Sequence, residues 1–220
     1  MCEFHAAAAD DSATGDGFFL DHPTHRRFIE RVNEIREGED NPHRIVAAIR
    51  PAFDELLADP TWLASRFMEP VENSGMGSGI GMWLLYKAPD DSLAFSSLVV
   101  PAGAQTPVHD HLAWGIVGLY RGTQDEDVFV RRDDGSEEGV AVLDLAEAKK
   151  LSPGDLYELL PENDIHRVRT TSEVASISLH LLGNNNGCIW RHQFRPEEQA
   201  VKPFKSGWLN VPCDEEDPMD

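Results

Sequence analysis

Thr106-Pro107-Val108-His109-Asp110-His111 decides how this chain reads. A proline followed by a β-branched residue and two histidines two positions apart predicts the entrance of a short strand, and in a strand residues i and i+2 project from one face. Working outward from this hexapeptide, short apolar segments recur between Gly, Pro and Asp breaks. They are Met82 to Tyr86, Leu93 to Val100, Gly115 to Tyr120, Asp127 to Arg131, Val140 to Leu143, Asp155 to Leu159, His166 to Thr170 and Ala175 to Leu182. Strands this short and evenly spaced predict an all-β sandwich or barrel, with no repeated strand-then-helix unit to suggest otherwise. Asp134-Gly135 is a natural hairpin turn between two of them.

Upstream the period changes. Phe28, Ile29, Val32 and Ile35 recur at helical spacing, and Asn41-Pro42 is a cap and first-turn pair for a second helix carrying Ile45, Val46, Ile49, Phe53, Leu56 and Leu57. Pro51 is expected to kink or divide that helix, and Asp59-Pro60-Thr61 to start a short third one over Trp62 to Phe67. The chain therefore divides into a tail over 1–20, a helical preface over 21–70 packed on the barrel, the barrel over 80–210, and an acidic tail over 211–220. Gln193 to Asp220 reads as an extended segment lying over the barrel.

Composition removes several classes of function. Nineteen Lys and Arg stand against 39 Asp and Glu, a formal charge of −20, which would repel nucleic acid and an anionic membrane surface. The sequence holds no apolar run of the roughly 18 or more residues that a membrane span needs, and its first residues lack the basic start and apolar stretch of a signal peptide. A cytoplasmic location is the expectation, as a monomer or homodimer. Cys2, Cys188 and Cys213 are odd in number and have no CxxC spacing, so a disulfide framework is not expected and the last two read as ordinary thiols.

Of the nine histidines, His5, His22, His25 and His43 fall in the tail or preface and read as solvent-facing. His109 and His111 share a strand face, where two imidazoles can grip one ion. A third ligand has to come from another strand, and His166 follows the turn Pro161-Glu162-Asn163-Asp164 and opens a predicted strand. Imidazole suits iron, zinc, copper or nickel, so these residues point to a transition metal without naming it.

These residues also carry a resemblance. Gly103, five residues, His109-Asp110-His111, three residues, Gly115, six residues and Gly122 resemble the first motif of the cupin superfamily, in which Glu is usual where Gly115 stands. Gly154, Pro161 and His166 resemble the second motif, with one extra residue before the proline and Asn163 in place of a glycine. A three-histidine site without the glutamate, and the wording from Thr106 to Gly115, is similar to the thiol dioxygenases, the cysteine dioxygenase-like branch, nearest the bacterial 3-mercaptopropionate dioxygenases. The resemblance runs from about Phe28 to Asn210.

What it implies is a cupin barrel, a double-stranded β-helix or jelly roll, with an N-terminal helical segment. It further implies Fe(II) held by His109, His111 and His166, and a small thiol and O2 as co-substrates giving a sulfinate. Ser178-Leu179-His180-Leu181-Leu182 stands where that family has a Ser-x-His-x-Tyr relay, so Ser178 and His180 match and Leu182 replaces the tyrosine. Met82 stands where the family carries a Gln or Arg for the substrate carboxylate, and Arg191 matches an arginine of the bacterial branch that would bind an anion. The Asn184-Asn185-Asn186-Gly187 loop would place Arg191. Trp114 and Met82 are candidates to line an apolar pocket. A Cys-Tyr crosslink is not expected, because Gly115 occupies that region. The two losses, Leu182 and Met82, leave two other readings open: a cupin metalloenzyme acting on a non-thiol small molecule, and a metal- or small-molecule-binding cupin without turnover.

Overall fold

Proline opens both helices, at positions where its missing N–H is not needed. In the computed structural model, which describes residues 15–213, α1 spans Pro23–Gly38 and α2 spans Pro42–Ala58. His22 Nδ1 accepts from Thr24 N at 3.2 Å and Asn41 Oδ1 from Arg44 N at 3.3 Å, capping the two N-termini. Pro51 does not divide α2, which continues through it. The face formed by Ile45, Val46, Ile49, Phe53, Leu56 and Leu57 is buried, and such packing outweighs one lost backbone hydrogen bond. The expected third helix is only a 3-10 turn at Ser65–Met68; Trp62 sits before it, its Nε1 donating to Leu56 O at 3.0 Å.

Eleven strands follow among the described residues: β1 (Gly81–Lys87), β2 (Ala94–Val100), β3 (Val108–His109), β4 (Gly115–Arg121), β5 (Gln124–Arg131), β6 (Leu143–Leu151), β7 (Leu156–Leu159), β8 (Ile165–Thr170), β9 (Ser176–Leu182), β10 (Arg191–Arg195) and β11 (Ala200–Phe204). They form a five-stranded sheet of order β1-β2-β9-β4-β7 and a six-stranded sheet of order β11-β10-β3-β8-β5-β6. Every pairing is antiparallel. From β3 to β5 and again from β6 to β10 the chain crosses to the other sheet at each connection. That alternation winds a double-stranded β-helix, so the architecture is a jelly-roll barrel of the cupin type. No helix among the described residues is long and apolar enough to cross a membrane.

Two cores result. Both helices pack on the outer face of the five-stranded sheet, where Phe28, Phe53, Trp62, Phe95, Ile177, Leu179 and Leu181 belong to one cluster. Phe28 and Phe53 stack with ring centroids 5.4 Å apart, and Trp62 and Phe95 at 6.1 Å. The barrel interior holds smaller clusters around Met82, Leu84, Leu98 and Phe204 and around Val117, Tyr157, Leu159 and Leu182.

Several boundaries differ from expectation. Phe18 and Leu20, assigned to a tail, are buried, and Phe18 bridges to Tyr86. His25 is not solvent-facing but fully buried among Phe18, Trp62 and Phe95, with Nδ1 donating to Leu20 O at 2.8 Å. Val140 makes only an isolated bridge to Ala200, and the strand lies later, at β6. β6 was missed because its side chains are mostly exposed and carry Asp144, Glu147, Lys149 and Lys150, so apolar alternation is absent. The segment after Gln193 does not merely lie over the barrel: β10 and β11 are integral to the six-stranded sheet. His5 and the expected tail regions 1–14 and 214–220 lie outside the described residues.

Candidate metal centre

β3 is only two residues long, yet it lies between β10 and β8, so that His109 is directly opposite His166. His111 follows two residues later, where Leu112 takes a left-handed backbone, φ 55°. That conformation is uncommon for a leucine, and it turns the chain away immediately after the second histidine. The three imidazoles come together with ring centroids 4.9 to 5.0 Å apart, and one ligand nitrogen of each lies within 4.8 Å of the others. All three residues are buried.

Each Nδ1 already has an acceptor. His109 Nδ1 donates to Pro107 O at 2.9 Å, His111 Nδ1 to Asp164 Oδ1 at 2.9 Å, and His166 Nδ1 to Glu126 Oε1 at 2.8 Å. A carbonyl or carboxylate oxygen can only accept, so the proton sits on Nδ1 and the Nε2 lone pair is left for a metal. Burial, and after it the neighbouring histidines and Arg191, hold His109 and His111 well below the usual imidazole range. Neutral imidazole is the form that binds a cation. The donor set therefore fits a transition metal through three neutral nitrogens.

The bend at His111 is braced from two sides. Asp164 accepts from the backbone N–H of His111 and of Leu112, at 3.0 and 2.9 Å. Asn184 and Asn186 donate their amides to His111 O at 3.0 and 3.1 Å. The loop that supplies these asparagines is fastened by a Cys188–Cys213 disulfide. The reading of both cysteines as ordinary thiols is thus corrected; a separation of 25 residues gives no sequence signal, and the fold alone brings them together. Asp110 points away from the site, accepting from His192 N at 2.7 Å.

A narrow cleft opens beside the histidines, lined by His109, His111, His180, Arg191, Met82 and Ser96, with Met76, Leu98 and Asn186 completing it. Arg191 is 2% exposed. Its guanidinium donates to Asp110 O at 2.8 Å and Ser206 Oγ at 3.0 Å and lies 4.5 Å over the Phe204 ring. Among the described residues no carboxylate pairs with it, and burial lowers its pKa to about 10, so it stays charged at neutral pH. Ser178 and His180 share the inner face of β9, with Oγ and Nε2 2.9 Å apart. Burial lowers the His180 pKa to about 3, and its neutral ring faces the cleft.

Two expected contacts are not in the cleft lining. Trp114 packs toward the helix-covered core, with its indole against Gly183. Leu182 turns into the interior cluster with Val117 and Tyr157. A Cβ on Gly115 would lie 2.4 Å from Leu182 Cδ2 and 2.9 Å from Leu181 O, so Leu182 covers the position where the wider cupin pattern has its glutamate.

Glu126 and Asp164 are not among the residues that the sequence marks as candidates, whereas Tyr157 is one of the three tyrosines, with Tyr86 and Tyr120, that could replace the missing relay phenol; all three of Glu126, Asp164 and Tyr157 attend the histidines. Asp164 stands two residues before His166, a spacing that could have marked it. Glu126 could have been found as an acidic residue in phase with the inward positions Gln124 and Val128. No such mark sets Tyr157 apart from the other two tyrosines; only the β4–β7 register, Val117 opposite Tyr157, turns it inward toward His166.

No protein-family model matches the chain. Solved structures with a similar course include the cupin domain of Schizosaccharomyces pombe Cnp3, 14% identical over 49% of this chain and 66% of that one, TM-score 0.37. A cupin-2 domain from Rhodospirillum rubrum is 15% identical over 47% of this chain and 59% of that one, TM-score 0.36. An oxalate oxidase in complex with the substrate analogue glycolate is 13% identical over 59% of this chain and 62% of that one, TM-score 0.41. The chain spans less than two thirds of the length of each. The fold assignment rests on the strand order, and likenesses of this size say nothing about chemistry.

Proposed function

We propose that this protein is an iron-dependent thiol dioxygenase that converts a small thiol carrying a second, anionic group to its sulfinate. The observation that carries this reading is a three-histidine cluster of which His109 and His111 line one cleft with the buried Arg191, with no carboxylate among the described residues joining the cluster or pairing with the arginine. In the overall reaction a thiol and O2 give a sulfinic acid: both oxygen atoms end on sulfur, which is oxidised as O2 is reduced, and no further reductant is needed. Bound Fe(II), held by His109, His111 and His166, would supply open positions where thiolate and O2 meet, the thiolate providing the negative charge that a glutamate ligand provides elsewhere.

The remaining work falls to this chain's own side chains. Arg191 anchors the distal anion through charge-assisted hydrogen bonds. Its own contacts to Asp110 O and Ser206 Oγ hold the guanidinium in place before substrate arrives. His180, kept neutral by burial and fixed by Ser178, presents a polar edge beside the histidines. Met76, Met82 and Leu98 exclude water from the methylene chain between thiol and anion.

A second reading is a metal-dependent cupin enzyme acting on a non-thiol small molecule. Met82 favours it, since an apolar side chain lines the cleft where a polar substrate contact was expected. Metal analysis of anaerobically purified protein, followed by oxygen-electrode traces with 3-mercaptopropionate, cysteine, mercaptosuccinate and cysteamine, separates the two. About one iron per chain and sulfinate-forming O2 uptake are expected, weakest with cysteamine, which has no anion for Arg191. His111→Ala should abolish uptake. Bound iron with no uptake from any of these thiols would favour the second reading, and zinc or no metal would refute the dioxygenase.

A further inference from the structure

We propose that Glu126 is a positioning residue for the metal centre whose carboxylate charge, and not merely its hydrogen bond, sets how tightly His166 holds the ion. The inference rests on the metal-centre reading above and extends it to a side chain that touches neither metal nor substrate.

A comparison of the three histidines isolates the charge. His109 is oriented by the neutral carbonyl of Pro107, so a neutral acceptor is enough to fix a ring. His111 is oriented by Asp164, but that carboxylate also accepts two backbone N–H groups, which absorb much of its charge. Glu126 accepts no backbone N–H from the described residues, and its relief is one ion pair to Lys149. Glu126 is 1% exposed; Oε1 accepts from His166 Nδ1, while Oε2 is buried without a hydrogen-bond partner among the described residues. Among the described residues its cationic partner is Lys149, whose partly solvated Nζ stands 3.6 Å from Oε2, a long ion pair shared with Glu147. The hydroxyl of Tyr157, whose ring lies 5.9 Å from that of His166, is also buried and has no hydrogen-bond partner among the described residues.

A carboxylate taken out of water this incompletely is costly unless positive charge lies close by. A neutral imidazole offers a hydrogen bond but no charge, whereas a divalent cation on Nε2 offers both. In return the carboxylate raises the basicity of the ring it holds, and outer partners of this kind typically change metal affinity by about 10- to 100-fold. Glu126 is therefore a buried negative charge that touches the centre and is offset by one long, partly solvated ion pair. It lies behind a ligand, where it partly substitutes for the anionic ligand that Gly115 cannot provide.

Glu126→Gln tests this directly, because it keeps an acceptor of the same size and removes only the charge. Chelator competition with Fe(II) and Co(II) should show affinity about 10-fold weaker or worse. The midpoint potential of the iron should move upward, because the lost negative charge favoured the ferric state. The metal-free variant should melt no lower than wild type. Lys149→Met, which removes the cation beside Glu126, should tighten metal binding. Glu126→Gln with wild-type affinity and an unmoved potential, or Lys149→Met with unchanged or weaker binding, would reduce Glu126 to a ring-orienting contact and overturn the proposal. A wild-type chain that binds neither ion fails at the first titration and refutes the metal-centre reading together with this one.

Discussion

β9 shows two different interiors on its two faces. Outward, Ile177, Leu179 and Leu181 meet the helices in an apolar core dominated by aromatic rings. Inward, Ser176, Ser178, His180 and Leu182 look into the barrel, and three of those four are polar. Every residue of the strand is buried, so burial does not distinguish the faces; the chemistry does. The outer face is built by packing and could be refilled with other apolar groups. The inner face is a set of polar groups whose desolvation has been met by hydrogen bonds, and it tolerates exchange less well.

That difference can be broken most sharply by exchanging insults. His111→Ala should lower metal affinity by more than the roughly 10- to 100-fold typical of an outer partner, while removing the ring partner of Asp164 should cost the metal-free protein only about 1 to 3 kcal/mol in urea. Phe53→Ala, in the fully buried outer core, should do the reverse, lowering stability by about 3 to 5 kcal/mol with chelator competition unmoved. Equal effects of both variants on both measurements would mean that the two faces are one cooperative unit.

His25 sharpens the comparison, since it is a polar group on the apolar side. Burial lowers its pKa to about 4 from 6.5. The unfolded chain therefore takes up this proton first as pH falls, and His25's share of stability, present above about pH 6.5, is lost progressively down to about pH 4. That share is about 3 kcal/mol. Denaturant melts at pH 7 and pH 4.5 should show a smaller acid loss in His25→Phe than in wild type. The smallest effect belongs to Ser178→Ala. It leaves His180 Nε2 without its partner and should cost about 1 kcal/mol of stability, with kcat lowered more than KM.

Much of the fold was legible because its signals are local. The Asn41-Pro42 cap marked the start of the second helix, apolar periodicity gave both helices and their buried faces, and breaker residues between short apolar runs gave the barrel. β6 was not legible, since an edge strand with exposed charged side chains has no burial pattern to read. In the site, His109 and His111 announced themselves by spacing and His166 by its turn. Glu126, Tyr157 and the Cys188–Cys213 pair did not, because each is brought into place by strand register or loop closure over long sequence distances.

The contact between Gly115 and Leu182 also constrains descent. With a Cβ at 115 falling 2.4 Å from Leu182 Cδ2 and 2.9 Å from Leu181 O, a side chain at 115 requires Leu182 to shift and the strand backbone to give. A glutamate at 115 needs the leucine shortened first, and a shortened leucine opens a cavity beside Tyr157 that is penalised until something fills it. The two positions are epistatic: the fitness of a residue at one depends on the state of the other, and their double change departs from the sum of the single ones.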